Sequence, residues 1–433
     1  MADTTKMSLR RLQIYSVFVR NHTVEGTLKA LAADLPRIKQ LGTDFVWLLP
    51  FNPVGQVARK GELGSPYAIQ DYRKVDPLQG TWQDFKDFVT ACHQLGLKVM
   101  VDVVFNHTAR DSVLLQRQPN WFLRNQHGQL KNKNPDWTDV AELDYRKTAL
   151  WQTQLTTLKQ YAALVDGFRC DVAPQVPLQF WLQARQEIAQ INPELIWLAE
   201  STDGQYIRKI RQQGFPSATD GELYRAFDLT YDYDVYPTWR RYLAGELALR
   251  DYVALLNQQD VTYPANAIKL RFLENHDQPR AHALIPNLSD LRNWTAFSAF
   301  QKGATLIYAG QEYGMKHTPS LFDADRLQWP QTAPLAALIT KMHQLSQDQI
   351  QIMGNYQLFA QANDIVEVVY QTKIACRVGI FSLRSQSGHA KVVLPDGRYQ
   401  NLITGQPVTV HYGVLAITGQ PVVIDTRRQL PAE

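Results

Sequence analysis

The feature that most limits the fold of this chain is a rhythm: strand-like apolar runs alternate with helix-spaced segments eight times between Arg11 and Leu345. Arg11–Val19 (RLQIYSVFV) is rich in β-branched and aromatic residues, and Thr27–Leu41 then spaces apolar residues at helical period up to a stop at Gly42. Pro36 inside that helix predicts a kink or a break, because proline supplies no N–H to the ladder. Thr43–Pro50 reads as the second strand, Thr81–Leu95 as a helix, and Leu97–Phe105 (LKVMVDVVF) as a strand buried on both faces. Further strands are predicted over 165–172, 195–200, 226–231, 268–273 and 304–309, with helical segments between and after them. Parallel neighbours need a crossover helix to return the chain. Eight such units fit a closed (β/α)8 TIM barrel better than an open doubly wound sheet, and no GxGxxG opens any of the helices.

Two stretches break the rhythm. The polar run His107–Arg146 places an insertion, 108–146, between the third strand and its helix, at the barrel face where functional loops gather. From 350 onward, short alternating runs such as IVEVVYQ, QPVTVHY and PVVIDT, divided by Gly, Asn, Asp and Pro, predict a C-terminal antiparallel β-sandwich over 350–433. The barrel is then built from 8–107 and 147–349. Charge narrows the partners: 45 Lys plus Arg against 41 Asp plus Glu, with no basic block, does not look like a nucleic-acid footprint. No run approaches the ~18 apolar residues of a membrane span, and the first residues hold no run of the signal-peptide type. Cys92, Cys170 and Cys376 are isolated, which argues against a disulfide framework or a structural zinc, favours small buried hydrophobes, and makes a reducing cytoplasm the expected compartment.

The chemistry-bearing residues lie at strand ends, where a barrel gathers its active site. Strand three ends in Asp102-Val-Val-Phe-Asn106-His107, strand four in Arg169-Cys-Asp171, strand five in Glu200, and strand seven runs into Glu274-Asn-His276-Asp277. Opposed carboxyl groups suit acetal cleavage, in which one carboxylate attacks or stabilises an oxocarbenium-like carbon and the other protonates the leaving oxygen. Arg169, two residues before Asp171, shares its strand face and should hold it ionised. Glu200 follows an apolar run, and carboxylate neighbours there are expected to favour its protonated form, as a general acid requires. Asp102, inside strand three, is better placed to brace the site than to react, and Trp47 and Tyr308 read as core.

These strings resemble, in order, the four conserved sequence regions of the α-amylase family of glycoside hydrolases. The resemblance runs through the whole chain, with 108–146 as that family's domain B and 350–433 as its domain C. It implies that Asp171 is the nucleophile, Glu200 the general acid/base and Asp277 a third carboxylate that stabilises the transition state. It further implies that His107 and His276 bind the reacting sugar, that Arg169 positions Asp171, and that Tyr67 in Gly64-Ser-Pro-Tyr67 stacks on the sugar ring. Phe322–Trp329, beyond strand eight, is a candidate frame for outer subsites. The implied activity is retaining hydrolysis of α-glucans or malto-oligosaccharides such as those of starch. A 4-α-glucanotransferase using the same covalent intermediate is the alternative, and an inactive barrel serving as a binding or scaffold subunit is the reading of a different class. Many members follow the nucleophile with a Lys-His pair whose histidine helps to bind calcium; here Pro174 and Gln175 stand there. No cofactor is therefore expected to be required, and Asn106 and Asp144 are left as the oxygen candidates for a structural calcium.

Overall fold

A computed structural model describes residues 4–427. Three strands open the chain: β1 (Gln13–Val17), β2 (Phe45–Leu48) and β3 (Lys98–Val103). Two short strands follow in the insertion, β4 (His107–Ala109) and β5 (Val140–Glu142). The series resumes with β6 (Gly167–Cys170), β7 (Ile196–Ala199), β8 (Leu229–Tyr231), β9 (Ile268–Arg271) and β10 (Ala304–Tyr308). Eight of these close into a barrel in the order β1-β10-β9-β8-β7-β6-β3-β2. Every residue of β1, β2, β6 and β7 is buried, as expected of a parallel sheet covered on both faces. Trp47 and Tyr308 belong to this core.

The local signals act as read. The segment with Pro36 forms two helices, Leu28–Ala32 and Leu35–Gln40, and the proline sits in the first turn of the second, where no intrahelical N–H is needed. Thr81 and Asp84 close a capping box on the helix Trp82–Gln94: Asp84 N–H donates to Thr81 Oγ1 at 3.1 Å and Thr81 N–H to Asp84 Oδ2 at 2.7 Å.

In the insertion, β4 and β5 pair antiparallel with His107 opposite Glu142. Ser112 caps the short helix Val113–Arg117, and the helix Thr148–Ala162 resumes the barrel series. The C-terminal part holds strands β11 (Asn355–Gln361), β12 (Ile365–Gln371), β13 (Ala375–Ser382), β14 (Ser387–Lys391), β15 (Gly397–Gln400), β16 (Pro407–His411), β17 (Val414–Thr418) and β18 (Val422–Arg427). They make two four-stranded antiparallel sheets, β11-β12-β13-β18 and β14-β17-β16-β15. Val378, Ile380 and Ile424 of one sheet pack with Ala390, Val410 and Leu415 of the other in one apolar core. Residues 428–433, the expected end of the sandwich, lie outside the described residues. All three cysteines are free and buried, and among the described residues no helix is long and apolar enough to cross a membrane.

Two compact units divide the chain. Ile14–Asp234 and Pro319–Gln328 make up most of one, and Lys6–Gln13, Val235–Thr318 and the chain from Trp329 make up the other. Asp171 and Glu200 therefore belong to the first and Asp277 to the second.

Candidate active site

Parallel register brings Asp102 of β3 beside Arg169 of β6. Asp171 and Glu200 each follow their strand by one residue, and the ladder continues past both strand ends. Asp171 N–H donates to the Val103 carbonyl and Glu200 N–H to the Cys170 carbonyl, both at 3.0 Å. The backbone of each carboxylate is thus fixed by the barrel rather than by a loop.

Arg169 is the hub. Its side chain is wholly buried, and Nη1 donates to Asp102 Oδ1 and to Asp171 Oδ1, both at 2.8 Å. Nη2 lies 2.8 Å from Glu200 Oε1, and Nε reaches the Tyr231 hydroxyl at 3.4 Å. The guanidinium also lies 5.2 Å from the Trp47 ring centroid, 5.6 Å from Tyr67 and 5.5 Å from Tyr231, within cation–π range of all three. Burial alone would lower its proton affinity, but Asp102 and Glu200 outweigh that and hold it well above the ordinary arginine value. The expected Arg169–Asp171 pair is present. Glu200, expected among carboxylates, is in addition paired with the same guanidinium and accepts the Val172 N–H on Oε2 at 2.8 Å.

Val172 makes that last bond from a strained backbone, with φ 41° and ψ 43°. A β-branched residue in the left-handed region is an outlier, and such conformations persist where the surroundings fix them, often at functional sites. The left-handed residue ends β6 immediately after Asp171, and its own N–H meets the carboxylate of the neighbouring strand.

The loop after β2 supplies Tyr67, whose hydroxyl donates to Asp102 Oδ2 at 3.1 Å. Asp102, tied to Arg169 and Tyr67, braces the site as its place within β3 suggested. Gly64 on this loop adopts φ +73°, and an added Cβ would come within 2.8 Å of Val54 Cγ1, so the tight path toward Tyr67 requires glycine. The Phe322 carbonyl accepts from Leu63 N–H at 2.8 Å and from Gly64 N–H at 3.0 Å, which seats that aromatic segment against the same loop. His107, at the start of β4, is buried; its backbone carbonyl accepts from the Tyr72 hydroxyl at 2.6 Å, and its imidazole Nδ1 lies 3.2 Å from Asn106 Nδ2. Burial pushes that imidazole down to about 4, so the ring is neutral at physiological pH.

In the second unit the segment after β9 is fixed by a separate buried pair. Arg280 Nη1 donates to Glu274 Oε1 at 2.6 Å, and Ala281 N–H to Glu274 Oε2 at 2.6 Å. His276 Nε2 lies 3.0 Å from Asp277 Oδ2; the histidine side chain is buried, whereas that of Asp277 is 38% exposed.

The calcium candidates do not fit a divalent cation. Asn106 Oδ1 accepts from the Lys133 ammonium at 2.6 Å, and both Asp144 oxygens are taken by Arg146, at 2.7 Å each. Gln175, at the expected histidine position, donates its side-chain amide to the Tyr206 hydroxyl at 3.0 Å. Among the described residues no group of three His, Cys, Asp or Glu side chains is arranged to hold a metal. Asn106 and Asp144, the calcium candidates, thus each face a cationic side chain of the protein.

Three contributors escaped the sequence. Tyr231 ends β8, where its strand position was legible but its tie to Arg169 was not. Lys133 and Glu142 sit in the polar insertion, and nothing in the sequence separates buried Lys133 from exposed Lys131.

Comparison with known proteins agrees with this architecture. The model of the alpha amylase catalytic domain matches residues 13–154 and 117–356, and that of the bacterial alpha amylase C-terminal domain matches 357–424. The chain belongs to the α-amylase family. A solved alpha-amylase from Lactobacillus plantarum is 45% identical with a TM-score of 0.95, over 97% of this chain and 100% of that one. A maltogenic alpha-amylase from Thermotoga neapolitana is 31% identical with a TM-score of 0.86, over 98% and 100%. Among curated relatives, the alpha-amylase MalA of Haloarcula japonica is 26% identical over 89% of this chain, and a maltosyltransferase of Myxococcus xanthus is 28% identical over 57%. The chain spans only 55% and 38% of those two proteins' own lengths.

Proposed function

We propose that this chain hydrolyses α-glucosidic bonds of malto-oligosaccharides and related α-glucans with retention of configuration. The observation that carries the reading is the single buried guanidinium to which Asp171 and Glu200, at the ends of adjacent strands, are both tied. In the first step an Asp171 oxygen bonds to the anomeric carbon while the bond to the leaving oxygen breaks and Glu200 gives that oxygen its proton. In the second, Glu200 takes a proton from water, whose oxygen displaces Asp171 and releases the sugar. Arg169 keeps Asp171 charged and aimed, because the nitrogen that donates to Asp171 is also held by Asp102. Asp277 is assigned as the third carboxylate and His276 as a sugar ligand on their motif and on their place after β9 of the closed barrel. Tyr67 offers a ring face to the apolar C–H face of a pyranose, and His107 a neutral imidazole. No step is routed through a metal. Free, buried cysteines accord with a reducing compartment, and we place the activity in the cytoplasm, free of nucleic-acid and membrane partners.

Proton NMR of the first product released from maltoheptaose tests the reading: the α-anomer is expected, and an initial β-anomer would overturn double displacement. A 4-α-glucanotransferase is the second reading, favoured by the similarity to a maltosyltransferase over 57% of the chain. Products longer than the maltoheptaose supplied would select it.

A further inference from the structure

The insertion buries a cation of its own beside Asn106. Lys133 is 5% exposed and Glu142 is fully buried. The Lys133 ammonium lies 3.2 Å from Glu142 Oε2, and the Lys133 backbone N–H donates to Glu142 Oε1 at 3.0 Å. The same ammonium donates to Asn106 Oδ1 at 2.6 Å. An ammonium has only donors, so it settles which end of the Asn106 amide is oxygen. The other end, Nδ2, lies 3.2 Å from His107 Nδ1. An amide NH2 also has only donors, so His107 Nδ1 has to accept, and the ring proton of the neutral imidazole sits on Nε2. With Nδ1 occupied in this way, Nε2 is the ring atom left to donate.

We infer that Lys133 is a positioning residue: through Asn106 it sets the tautomer of His107, and with it the ring atom that His107 can offer as a donor. The register of the insertion supports this, since Glu142 of β5 stands directly opposite His107 of β4. The carboxylate that anchors the ammonium is thus part of the same two-strand ladder as the histidine. An internal ammonium here leaves Asn106 Oδ1 engaged without an ion from solution.

The inference rests on the proposed hydrolysis for its kinetic readout, and the test includes one measurement that does not. K133M alone leaves Glu142 buried without its cation, so the informative protein is K133M/E142Q, in which charge is balanced and the amide oxygen replacing the carboxylate can still accept the backbone N–H of position 133. Below the melting temperature, K133M/E142Q is expected to lose about tenfold in kcat/KM on maltoheptaose while melting within a few degrees of wild type. In 15N-histidine-labelled protein, with the His107 signals assigned by H107Q, wild type should show a single Nε2–H tautomer and K133M/E142Q a mixture. Wild type should melt at the same temperature in EDTA and in millimolar calcium. Unchanged kcat/KM together with an unchanged His107 tautomer in K133M/E142Q would overturn the inference, as would a calcium-dependent rise of several degrees in wild-type melting. Should wild type cleave no malto-oligosaccharide while the tautomer shifts as described, the proposed hydrolysis fails and the role of Lys133 stands.

Discussion

Arg169→Met asks how much of the site is held by one charge. The guanidinium makes hydrogen bonds to Asp102 and Asp171 and an ion pair with Glu200, all at 2.8 Å and all within the buried barrel end. Charge-assisted contacts are worth about 1.5–3 kcal/mol each, which puts the gross attraction near 5–9 kcal/mol. Removing the guanidinium also removes its own desolvation cost, several kcal/mol for a buried ion. The balance falls in the range of about 3–5 kcal/mol found when one partner of a buried pair is deleted. For a chain of 433 residues, an unfolding entropy of about 2.1 cal/mol/K per residue gives about 0.9 kcal/mol/K, so Tm should fall by about 3–6 °C. The penalty also has a sign in pH. The carboxylates left behind repel one another while ionised and cease to do so as they take up protons, so the deficit should be larger at pH 7.5 than at pH 5.5. Differential scanning fluorimetry of wild type, Arg169→Met and Arg169→Lys at both values measures this, and the lysine, which keeps the charge but not the fork, should recover part of the loss. A deficit under 1 °C for Arg169→Met, or one equal at the two pH values, would refute the view that this charge organises the site.

Asp171→Asn should abolish turnover, since an amide cannot displace the leaving group; a variant changed only in KM would undo its assignment as nucleophile. Glu200→Gln should suppress cleavage of maltoheptaose yet spare the first step on an activated aryl glucoside, whose leaving group needs no proton, and equal losses on the two substrates would remove Glu200 as the acid. Tyr67→Phe should retain much of the sugar affinity while losing the bond to Asp102, whereas Tyr67→Ala should raise KM about tenfold; equal effects in steady-state kinetics would deny the ring a stacking role. Burial would raise the Asp34 carboxyl, but His22 and Arg37 overcome it and hold the group down at about 2. Because the folded value lies below the unfolded one, its contribution is present above about pH 4 and lost as pH falls toward 2, so Asp34→Asn should cost about 2 kcal/mol in urea unfolding at pH 7 and clearly less at pH 3.

How far the sequence could be read depended on whether a residue sat on a regular element. The barrel strands were legible because both faces are covered, which makes them continuous apolar runs, and every predicted strand lies within a few residues of an observed one. The helical segment over 27–41 divides in two, and so does the helical material around 237–256. Pro36 announced the first division, whereas the one between Tyr236–Leu243 and Leu249–Thr262 follows Gly245, whose φ of +78° suits only glycine well. In the sandwich, β12, β16, β17 and β18 are rich in β-branched and apolar residues and were found. The strand β13 (ACRVGIFS) was not, because its polar residue turns inward: Arg377 is buried and donates to Asp425 and to the Leu345 carbonyl. An inward arginine breaks the period-two pattern that signals a half-buried strand.

The site divides along the same line. Arg169 and Asp171 could be paired from sequence alone, because they lie two apart as β6 ends and the alternation of a strand fixes their common face. Asp102 joined them through the parallel register, which sequence order alone could not supply. The insertion offers no such period. Lys131 and Lys133 lie two apart in one polar run, yet one is exposed and the other buried against Glu142 and Asn106, and only the path of the chain between β4 and β5 decides which. For the same reason the motif could not show what Asn106 faces. The substitution at Gln175 was visible beside the nucleophile, but the side chain that occupies Asn106 lies in a stretch whose burial no local pattern encodes. A buried ammonium costs several kcal/mol of desolvation unless it is paired and hydrogen-bonded, so its retention at Lys133 requires Glu142 and Asn106 together. Glu142→Gln alone should therefore leave the ammonium short of its anion and lower Tm more than the double exchange with Lys133→Met does, an ordering that a pair of independent surface residues would not produce.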